Sequence, residues 1–446
     1  MFSQLVEYFE NNGLMNPSHH GFRGQHSTCT ALVQMIDSWA EAFDRGEISA
    51  VLMLDMSAAF DLVDHQILLK KLHVYGLEQE TLDWIFSYLS ERKQQVYVDG
   101  ALSDTMEVSI GVPQGSILGP LFYIIFTNDL PEAVHDHLVR NNSLFHTDCK
   151  SCGEICCYAD DSTFSVSSKD PVSLSEKICE KYQDIAYYMN NNKLVLNSNK
   201  THLLVMASSQ SHRKYGNFGV TLDTGSEMIE PIHSEKLLGA YISSDFSWNN
   251  HIRNSENSMF KSLTCKINAL IKISEYASFK TRKSVATSLI LSTLTYVIQV
   301  YGGCSNYLLK MLQVLQNKAA RCVTRLPWLT PTSVLLKQCG WLSVRQLVCY
   351  HTLVLLFKVK IEKTPKHLYN HIGDMPLSNT RAETSRIQQH LLKDVRNFRT
   401  ELARKTFIPR GISNWNSLPE KLRKMDKLDA FKKELKIWIS TNVPVK

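Results

Sequence analysis

Apolar residues recur at helical and strand-like spacings in turn along the first part of the chain. The segment 30–46 (TALVQMIDSWAEAFDRG) has helical spacing and ends at a glycine, which predicts an amphipathic helix. The run AVLMLDM at 50–56 is short and almost wholly apolar, so it predicts a strand buried on both faces. Two further helices, separated by a glycine break, are predicted over 65–77 and 80–92.

The pattern then changes to short alternating runs and one strongly apolar segment. Residues 94–112 predict a hairpin that turns at Asp99-Gly100. Residues 115–131 (GSILGPLFYIIFTNDLP) predict an apolar helix that begins after a Gly/Pro turn and is stopped by Pro131.

The second part of the chain becomes progressively helical. A helix is predicted near 173–190, and strands are predicted near 194–206 and 235–243. From about residue 250 onward the spacing is mostly helical. Strands mixed with helices early and helices alone later predict an α+β domain followed by helical parts.

Residues 284–309 carry no charge and raise the question of a membrane span. The segment contains too many hydroxyl and amide side chains for a lipid-facing helix, so a buried core helix is the better interpretation. The N-terminus lacks the pattern of a signal peptide, and 11 cysteines without secretory features indicate reduced thiols. We therefore expect an intracellular protein of the cytoplasm and nucleus with no membrane partner.

Charge is distributed unevenly, although the chain as a whole carries only +6. Residues 1–165 contain 8 Lys/Arg and 23 Asp/Glu, a net of −15, whereas residues 251–330 contain 11 and 2, a net of +9. An acidic part that concentrates cations beside a basic part that holds a polyanion is one interpretation. Ordinary variation in surface charge is the alternative, and it explains the acidic part equally well.

Two aspartates lie side by side in the run CCYADDSTFSV at 156–166. The flanking residues favour strands, so a hairpin is predicted with Asp160 and Asp161 at its tip. A third aspartate, Asp55, lies in the predicted buried strand near residue 50. Adjacent carboxylates repel each other, and two Mg²⁺ ions would relieve the repulsion and serve phosphoryl transfer. An Asp-Asp pair alone is more often an ordinary turn, but the third strand aspartate favours the metal site.

Several segments, in their order along the chain, resemble the palm motifs of reverse transcriptases. They are LMLDMSAAFD, GVPQGSILGPLFYIIFTNDL and CYADDST, and the resemblance is greatest to the enzymes of non-LTR retrotransposons. HGFRGQHST resembles the stretch before the first palm strand, and NNKLVLNSNKT and EKLLGAYIS resemble later palm segments. LQNKAARCVTRL and the C-terminal residues resemble the helical extension that follows the thumb.

The resemblance implies a right-hand polymerase fold of the α+β class. Partial fingers and a palm with an antiparallel sheet would occupy residues 1–248, a thumb 249–305 and a helical C-terminal extension 306–446. It also implies a chain truncated at its N-terminus, without the endonuclease domain that precedes the polymerase in this family.

The resemblance assigns Asp55, Asp160 and Asp161 as ligands of two Mg²⁺ ions, with Mn²⁺ as an alternative, and the backbone carbonyl beside Asp55 would help. Phe60 matches the bulky residue that packs against the incoming sugar and excludes a 2′-hydroxyl. Plain core packing is the alternative for Phe60.

Further residues match the family's substrate contacts. Gly111, Pro113 and Gly115 would shape a tight turn that touches the nascent base pair, with Gln114 supplying an amide. Lys200 matches a proposed proton donor to the leaving pyrophosphate, or it is a solvated lysine at a strand end. Arg23 would contact template or triphosphate, or it is a surface arginine.

A second group of residues has the spacing of zinc ligands. The run HTDCKSCGEICC offers His146, Cys149, Cys152 and Cys156 within a few residues. The usual second pair after a longer loop is missing, and Cys156 and Cys157 lie on a predicted strand, where free cysteines pack as small apolar residues. We therefore do not expect bound zinc.

Two functions of different classes remain. The first is an RNA-directed DNA polymerase that adds dNTPs to a DNA primer on an RNA template, favoured by the three aspartates. The second is a catalytically dead relic that keeps the fold and binds nucleic acid through its basic helical part, favoured by the missing fingers.

Overall fold

The computed structural model describes residues 1–135, 153–216, 218–225, 227–374, 390–394 and 396–445. The chain forms two compact units, each built from several segments. The first comprises residues 1–27, 47–205 and 209–232, and the second comprises residues 28–46, 206–208 and 233–446. The predicted division into fingers and palm, thumb and extension is a division by role and stays a prediction.

Helices and strands are numbered in chain order. The helices are α1 (Phe2–Asn11), α2 (Thr28–Asp44), α3 (His65–Val74), α4 (Gln79–Leu89), α5 (Gly119–Phe126), α6 (Leu130–His135), α7 (Pro171–Asn191), α8 (Ser209–Tyr215), α9 (Met259–Ser274), α10 (Phe279–Ala286), α11 (Ser292–Thr295), α12 (Ile298–Tyr301), α13 (Asn306–Thr324), α14 (Thr332–Cys339), α15 (Val344–Glu362), α16 (Lys366–Asn370), α17 (Glu401–Arg404), α18 (Phe407–Asn416), α19 (Glu420–Arg423) and α20 (Leu428–Asn442). The strands are β1 (Ile48–Leu54), β2 (Arg92–Gln94), β3 (Tyr97–Val98), β4 (Ala101–Leu102), β5 (Met106–Val108), β6 (Glu154–Tyr158), β7 (Asp161–Ser168), β8 (His202–Met206), β9 (Leu222–Asp223), β10 (Met228–Ile229), β11 (Pro231–Ile232), β12 (Ser234–Leu237), β13 (Ala240–Ser243), β14 (Ile372–Asp374) and β15 (Leu392–Asp394).

A five-stranded sheet in the order β11-β8-β1-β7-β6 organises the first unit. All seven residues of β1 are buried, as its apolar run predicts. β1 and β7 are antiparallel, with a register that runs from Ile48 opposite Ser168 to Leu54 opposite Ser162. Helix α7 packs on both of these strands. β1 and β7 therefore lie inside the sheet, each with a hydrogen-bonded strand on both sides.

The α+β class is confirmed, and so are the helices at α2, α3, α4 and α7 and the hairpin β6–β7. The turn at Asp99-Gly100 is also confirmed, with both residues at positive φ. The hairpin around it is shorter than predicted. β3 pairs with β4 across the turn, whereas β5 pairs with β2.

The predicted helix over 115–131 is wrong at both ends. Helix α5 begins at Gly119 and ends at Phe126, and Pro131 lies in the first turn of the separate helix α6. Proline lacks a backbone N–H, and the first turn of a helix leaves that group unpaired in any case. Pro131 therefore helps to begin a helix instead of stopping one.

The predicted strands near 194–206 and 235–243 are only partly correct. Only His202–Met206 forms a strand in the first region, preceded by a single 3-10 turn at Ser198–Lys200. The second region is a hairpin of β12 and β13. Its turn at Leu238 and Gly239 has positive φ at both residues, which reverses the chain.

The second unit is mostly helical, as predicted, although the uncharged segment 284–309 is not one helix. It is divided among α10, α11, α12, the start of α13 and a π-helical turn at Thr287–Leu291, and Val297 adopts a left-handed conformation. Many of its apolar side chains, including Ile290 and Leu294, are buried as expected of a core segment, whereas Leu289, Tyr296 and Tyr307 are exposed.

Helix α15 forms the centre of the C-terminal part of this unit. It packs against α18 and α20, and the rings of Phe357 and Phe431 stack 4.2 Å apart beside Trp415. Asp37 of α2 is buried and accepts hydrogen bonds from the backbone N–H groups of Phe407 and Ile408, at the start of α18. This carboxylate satisfies donors that a helix start leaves unpaired.

Most of the cysteine-rich segment lies outside the described residues, including His146, Cys149 and Cys152. Cys156 and Cys157 lie in β6 and are buried. Burial raises the pKa of the Cys157 thiol to about 12.

No single helix among the described residues is long and apolar enough to cross a membrane. One pair of helices, Thr332–Cys339 and Val344–Glu362, meets the length and composition criteria together, with a bend of 49° between them.

Candidate active site

The register of the central sheet brings Asp55 and Asp161 to the same end of two adjacent strands. We call this end of the sheet, with Asp55, Asp160 and Asp161, the carboxylate edge. Leu54 and Ser162 are the last paired residues of β1 and β7, so Asp55 and Asp161 follow as the next opposed positions. Tyr158 pairs with Asp161 across a two-residue turn made of Ala159 and Asp160. Asp160 therefore lies in the turn itself, and Asp161 is the first residue of β7.

The electrostatics of this edge reflect three neighbouring negative charges. Burial raises the pKa of Asp161, and the carboxylates of Asp160 and Asp55 raise it further. A bound cation would relieve this repulsion, and carboxylate oxygens are the ligands that Mg²⁺ prefers. The donor chemistry of the edge therefore fits a magnesium ion.

Asp55 is held by contacts on one side of the strand. Its carbonyl accepts a hydrogen bond from the Asn197 N–H at 3.0 Å, and its Oδ2 lies 3.4 Å from Nζ of Lys200. Because successive carbonyls of an extended chain alternate in direction, the Met56 carbonyl is directed away from Asn197. A backbone carbonyl beside Asp55 is expected from the resemblance to be a further ligand, and this role stays a prediction.

The three carboxylates share an edge but do not close around one point. Among the residues that the structure describes, no three His, Cys, Asp or Glu side chains form a group that could hold a metal ion. Three like charges repel each other, and Asp55 is drawn toward Lys200. The assignment of Asp55, Asp160 and Asp161 as metal ligands therefore stays a prediction.

The loop GVPQGS is tied to the turn that follows β1. The Val112 N–H donates to the Phe60 carbonyl at 2.8 Å, and the Gln114 amide donates to both carboxylate oxygens of Asp61 at 3.1 Å. Gly111 has a φ of 87°, and a Cβ there would lie 2.7 Å from the Asp61 carbonyl oxygen. Only glycine permits this close approach.

The remaining part of this loop is open to solvent. Gln114 and Gly115 are both exposed, and a Cβ at Gly115 would meet no atom within 4 Å. Space of this kind beside an exposed amide is compatible with a substrate contact, which stays a prediction for both residues.

Phe60 lies over the ring of Tyr123, with 4.7 Å between the ring centroids, and its side chain is half-buried. The Tyr123 hydroxyl donates to Sδ of Met56 at 3.1 Å. Burial raises the pKa of Tyr123, and the Cys157 thiol and the two hairpin aspartates raise it further. The two rings therefore pack against each other with their planes tilted by 31°, and Phe60 is the outer ring.

The Arg23 side chain makes its hydrogen bonds within the protein. Its guanidinium makes two hydrogen bonds of 2.9 Å to the Glu10 carboxylate and donates to the carbonyls of Asn16 and His19. Only 8% of its side chain is exposed. These contacts favour a structural role over the predicted contact with template or triphosphate.

Sequence reasoning missed the segment that supports the aspartate turn. The His20 N–H donates to the Cys157 carbonyl at 2.8 Å, and the Cys157 N–H donates to the Ser18 carbonyl at 2.9 Å. A Cβ on Gly21 would lie 2.4 Å from the backbone nitrogen of Ala159. Gly21 thus lets this segment lie directly against the turn, a role that no local pattern indicates.

Comparison with known families agrees with the geometry. The family described as Reverse transcriptase (RNA-dependent DNA polymerase) matches residues 2–236, which is more than half of the chain. The chain belongs to this family. The prediction from the motifs, a reverse transcriptase of the non-LTR retrotransposon type, is confirmed.

Relatives of this reverse transcriptase occur among insect mobile elements. It is 28% identical over 308 residues to the RNA-directed DNA polymerase from mobile element jockey of Drosophila melanogaster, covering 69% of this chain and 32% of the relative. It is 26% identical over 353 residues to the probable RNA-directed DNA polymerase from transposon BS of the same species, covering 75% and 36%. The chain thus spans about a third of the length of these relatives.

Among solved structures, the chain is similar to telomerase from Candida tropicalis in complex with a TWJ fragment of telomeric RNA. The alignment covers 99% of this chain and 56% of the telomerase chain, with 13% identity and a TM-score of 0.42. This similarity is too low to support a structural argument.

Proposed function

We propose that this reverse transcriptase is an RNA-directed DNA polymerase that extends a DNA primer with dNTPs on an RNA template. The observation that supports the proposal most is the meeting of Asp55 and Asp161 at adjoining strand ends, with Asp160 in the turn beside them. In the reaction the primer 3′-hydroxyl attacks the α-phosphorus of the dNTP, and pyrophosphate leaves with its bond to that phosphorus broken.

Asp55, Asp160 and Asp161 would hold two Mg²⁺ ions, with Mn²⁺ as an alternative. Magnesium, when bound, would activate the attacking hydroxyl and stabilise the charge on the leaving pyrophosphate. Burial is the main reason that the pKa of Asp161 is raised, and the carboxylates of Asp160 and Asp55 raise it further; a bound cation would relieve both effects, which supports this assignment.

Phe60, Gln114 and Gly115 would bind the incoming nucleotide and the nascent base pair. Phe60 packs on Tyr123, 4.7 Å between ring centroids, and in this position its ring would lie under the sugar and exclude a 2′-hydroxyl. Gln114 is fixed by Asp61, which directs the GVPQGS loop toward the turn after β1. Arg23 is left out of the substrate contacts because its donors are used within the chain.

Lys200 would donate the proton that the leaving pyrophosphate takes up. Its ammonium group lies beside Asp55, the aspartate that follows β1, and 67% of its side chain is exposed. A lysine that is close to the carboxylate edge and still accessible can reach a leaving group in that region.

The basic residues of the second unit would contact the phosphates of template and primer. They are not all available for this purpose. Arg282 is buried and donates to the carbonyls of Val323 and Ala277, at 3.0 and 2.6 Å, so it holds helices together. Lys261 and Lys272 are exposed and are better candidates.

Primer extension by the purified chain tests the proposal. The wild-type protein should add dNTPs to a DNA primer on RNA in the presence of Mg²⁺, and the variant with Asp160→Asn and Asp161→Asn should lose at least about 10²-fold in rate. Asp104→Asn, at an exposed position of the same unit, is the control and should keep activity.

RNA binding measured on the same samples separates the alternatives. A wild-type chain that binds RNA but never extends a primer, at any Mg²⁺ or Mn²⁺ concentration, would establish the nucleic-acid-binding relic instead.

A further inference from the structure

The loop that follows α13 exposes two large apolar side chains to solvent. Trp328 is 73% exposed and Leu329 is 90% exposed. In the turn after α9, Tyr276 is also 90% exposed. Large exposed apolar groups that occur together on a protein surface usually mark a binding site.

The Trp328 ring is held in place by its own surroundings. The guanidinium carbon of Arg321 lies 4.6 Å from the centre of the Trp328 ring, and Nε of Arg321 donates to the Trp328 carbonyl at 3.1 Å. The Thr330 N–H closes the turn by donating to the Pro327 carbonyl at 3.0 Å. One face of the indole is therefore covered by a guanidinium, and its exposure leaves the other face accessible.

Arg325 joins this loop to the turn that carries Tyr276. It ends α13 in a left-handed conformation, with a φ of 58°. Its guanidinium donates to the carbonyls of Ser274 and Glu275, immediately before Tyr276. Arg325 thus connects the loop of Trp328 to the turn of Tyr276. We call Trp328, Tyr276, Arg321 and Arg325 the aromatic platform.

The charge around the aromatic platform favours a polyanion. Residues 251–330 contain 11 Lys/Arg and only two acidic residues, Glu256 and Glu275. Lys318 lies one helical turn before Arg321 on α13 and is exposed, and Lys272 and Lys280 are exposed on either side of Tyr276. Accessible aromatic faces with surrounding cations bind single-stranded nucleic acids, because bases stack on the rings and phosphates are held by the cations.

We propose that the aromatic platform binds single-stranded RNA by stacking unpaired bases on Trp328 and Tyr276. The choice of RNA rests on the proposed function, because in that reaction the RNA template ahead of the primer is single-stranded. The stacking itself does not depend on catalysis, and no residue of the platform is among those assigned to the metal ions or the nucleotide.

The test measures binding of a fluorescent single-stranded RNA to the full chain by anisotropy, without dNTPs or divalent ions. The variant with Trp328→Ala and Tyr276→Ala should bind about 5- to 100-fold more weakly than the wild type. The RNA affinity of this variant should depend on salt concentration in the same way as that of the wild type, because no charge is removed. Trp328→Phe keeps an aromatic face and should recover much of the affinity.

Three controls make the result decisive. Tyr187→Ala removes a ring that is 61% exposed in the first unit and should leave RNA affinity unchanged. A fully paired RNA–DNA hybrid should bind the platform variant as well as it binds the wild type. A single-stranded DNA of the same sequence should lose no more affinity than the RNA.

Equal weakening for RNA and for the hybrid would overturn the stacking proposal, and so would unchanged RNA affinity in the platform variant. A larger loss for single-stranded DNA than for RNA would overturn the assignment to RNA. Platform-dependent RNA binding by a chain that never extends a primer would refute the proposed function alone.

Discussion

The ammonium nitrogen of Lys200 lies 3.4 Å from Oδ2 of Asp55. This contact joins the 3-10 turn before β8 to the end of β1, which places a cation beside the carboxylate edge. Within the described structure a second lysine, Lys193, lies 2.6 Å from Oδ2 of Asp64. Both lysine side chains are 67% exposed, so they differ in their partner and not in their access to solvent.

The matched pair allows a test of Lys200 as a proton donor. Lys200→Ala should lower the rate constant of nucleotide addition by about 10²- to 10⁴-fold, the usual contribution of a general acid, with little change in primer affinity. Lys193→Ala should leave the rate within a few-fold of the wild type. Single-turnover kinetics measures both, and an equal loss in the two variants would show that Lys200 acts only through surface charge.

The packing of Phe60 on Tyr123 leads to a prediction about sugar selection. Phe60→Ala removes the outer ring, so a ribonucleotide should be accommodated and discrimination against it should fall by on the order of 10²-fold. The measurement is the ratio of the specificity constants for a deoxynucleotide and its ribonucleotide counterpart. Mg²⁺ dependence should be unchanged because no proposed ligand is removed.

Tyr123→Phe is the control for this prediction. It keeps the ring under Phe60 and removes only the hydroxyl that donates to Met56. Discrimination should survive in this variant even where stability falls. If Phe60→Ala lowers stability and leaves the ratio of specificity constants unchanged, Phe60 is a core residue.

The sequence predicts the carboxylate edge well because the signals there are local. An apolar run long enough for one buried strand ends at Asp55, and strand-forming residues flank Asp160 and Asp161. Two buried strands of this kind are expected to pair with each other. Antiparallel pairing then places the end of β1 beside the start of β7. The role of Pro131 was predicted wrongly because proline is common both in the first turn of a helix and just after a helix ends, so its presence alone does not distinguish the two positions.

The contacts that support the edge could not be predicted in the same way. Arg23 is a lone basic residue in a loop, and its role depends on Glu10 in α1, a partner that folding alone brings near. Gly21 matters because of its distance to Ala159, and nothing in its neighbours along the chain signals that approach. Long-range contacts of this kind leave no periodic pattern in the sequence.

A further prediction concerns Asp64, which lies immediately before α3 and caps its N-terminus. Its carboxylate accepts hydrogen bonds from the Gln66 and Ile67 N–H groups, at 2.9 and 3.0 Å, and from Lys193. Burial alone would raise the pKa of Asp64, but these hydrogen bonds outweigh it and hold the pKa below its ordinary value of 3.8. Asp64→Ala should therefore reduce the free energy of unfolding by about 1–2 kcal/mol at neutral pH.

The sign of the pH dependence follows from the lowered pKa. The stabilisation from ionised Asp64 is fully present above 3.8, the value in the unfolded chain, and is lost as the pH falls through the lower folded value. The difference in the free energy of unfolding between wild type and Asp64→Ala, measured by urea unfolding, should shrink only below pH 3.8. A difference that is the same on both sides of this value would mean that packing, and not charge, explains the effect. Lys193→Ala should cost no more than about 1 kcal/mol, because that lysine is mostly exposed.

The last prediction uses two glycines of one loop. A Cβ on Gly21 would lie 2.4 Å from the backbone nitrogen of Ala159. The atoms that it would meet belong to the backbone of Tyr158 and Ala159, which cannot move aside as a flexible side chain can. Gly21→Ala should therefore displace the turn that carries Asp160. Overpacking should reduce the free energy of unfolding by about 1–3 kcal/mol. Displacement of the carboxylate by about 1 Å should lower primer extension by on the order of 10²-fold.

Gly24→Ala is the matched substitution, since a Cβ at Gly24 would meet no atom within 4 Å and the residue is exposed. It should leave primer extension unchanged, and it should be neutral or stabilise the fold by up to about 1 kcal/mol because alanine restricts the unfolded chain. Thermal unfolding and primer extension, measured on both variants, separate the contact with Ala159 from a general need for glycine in this loop. Equal losses of activity in the two variants would show that loop flexibility, and not the approach of Gly21 to the aspartate turn, supports the active site.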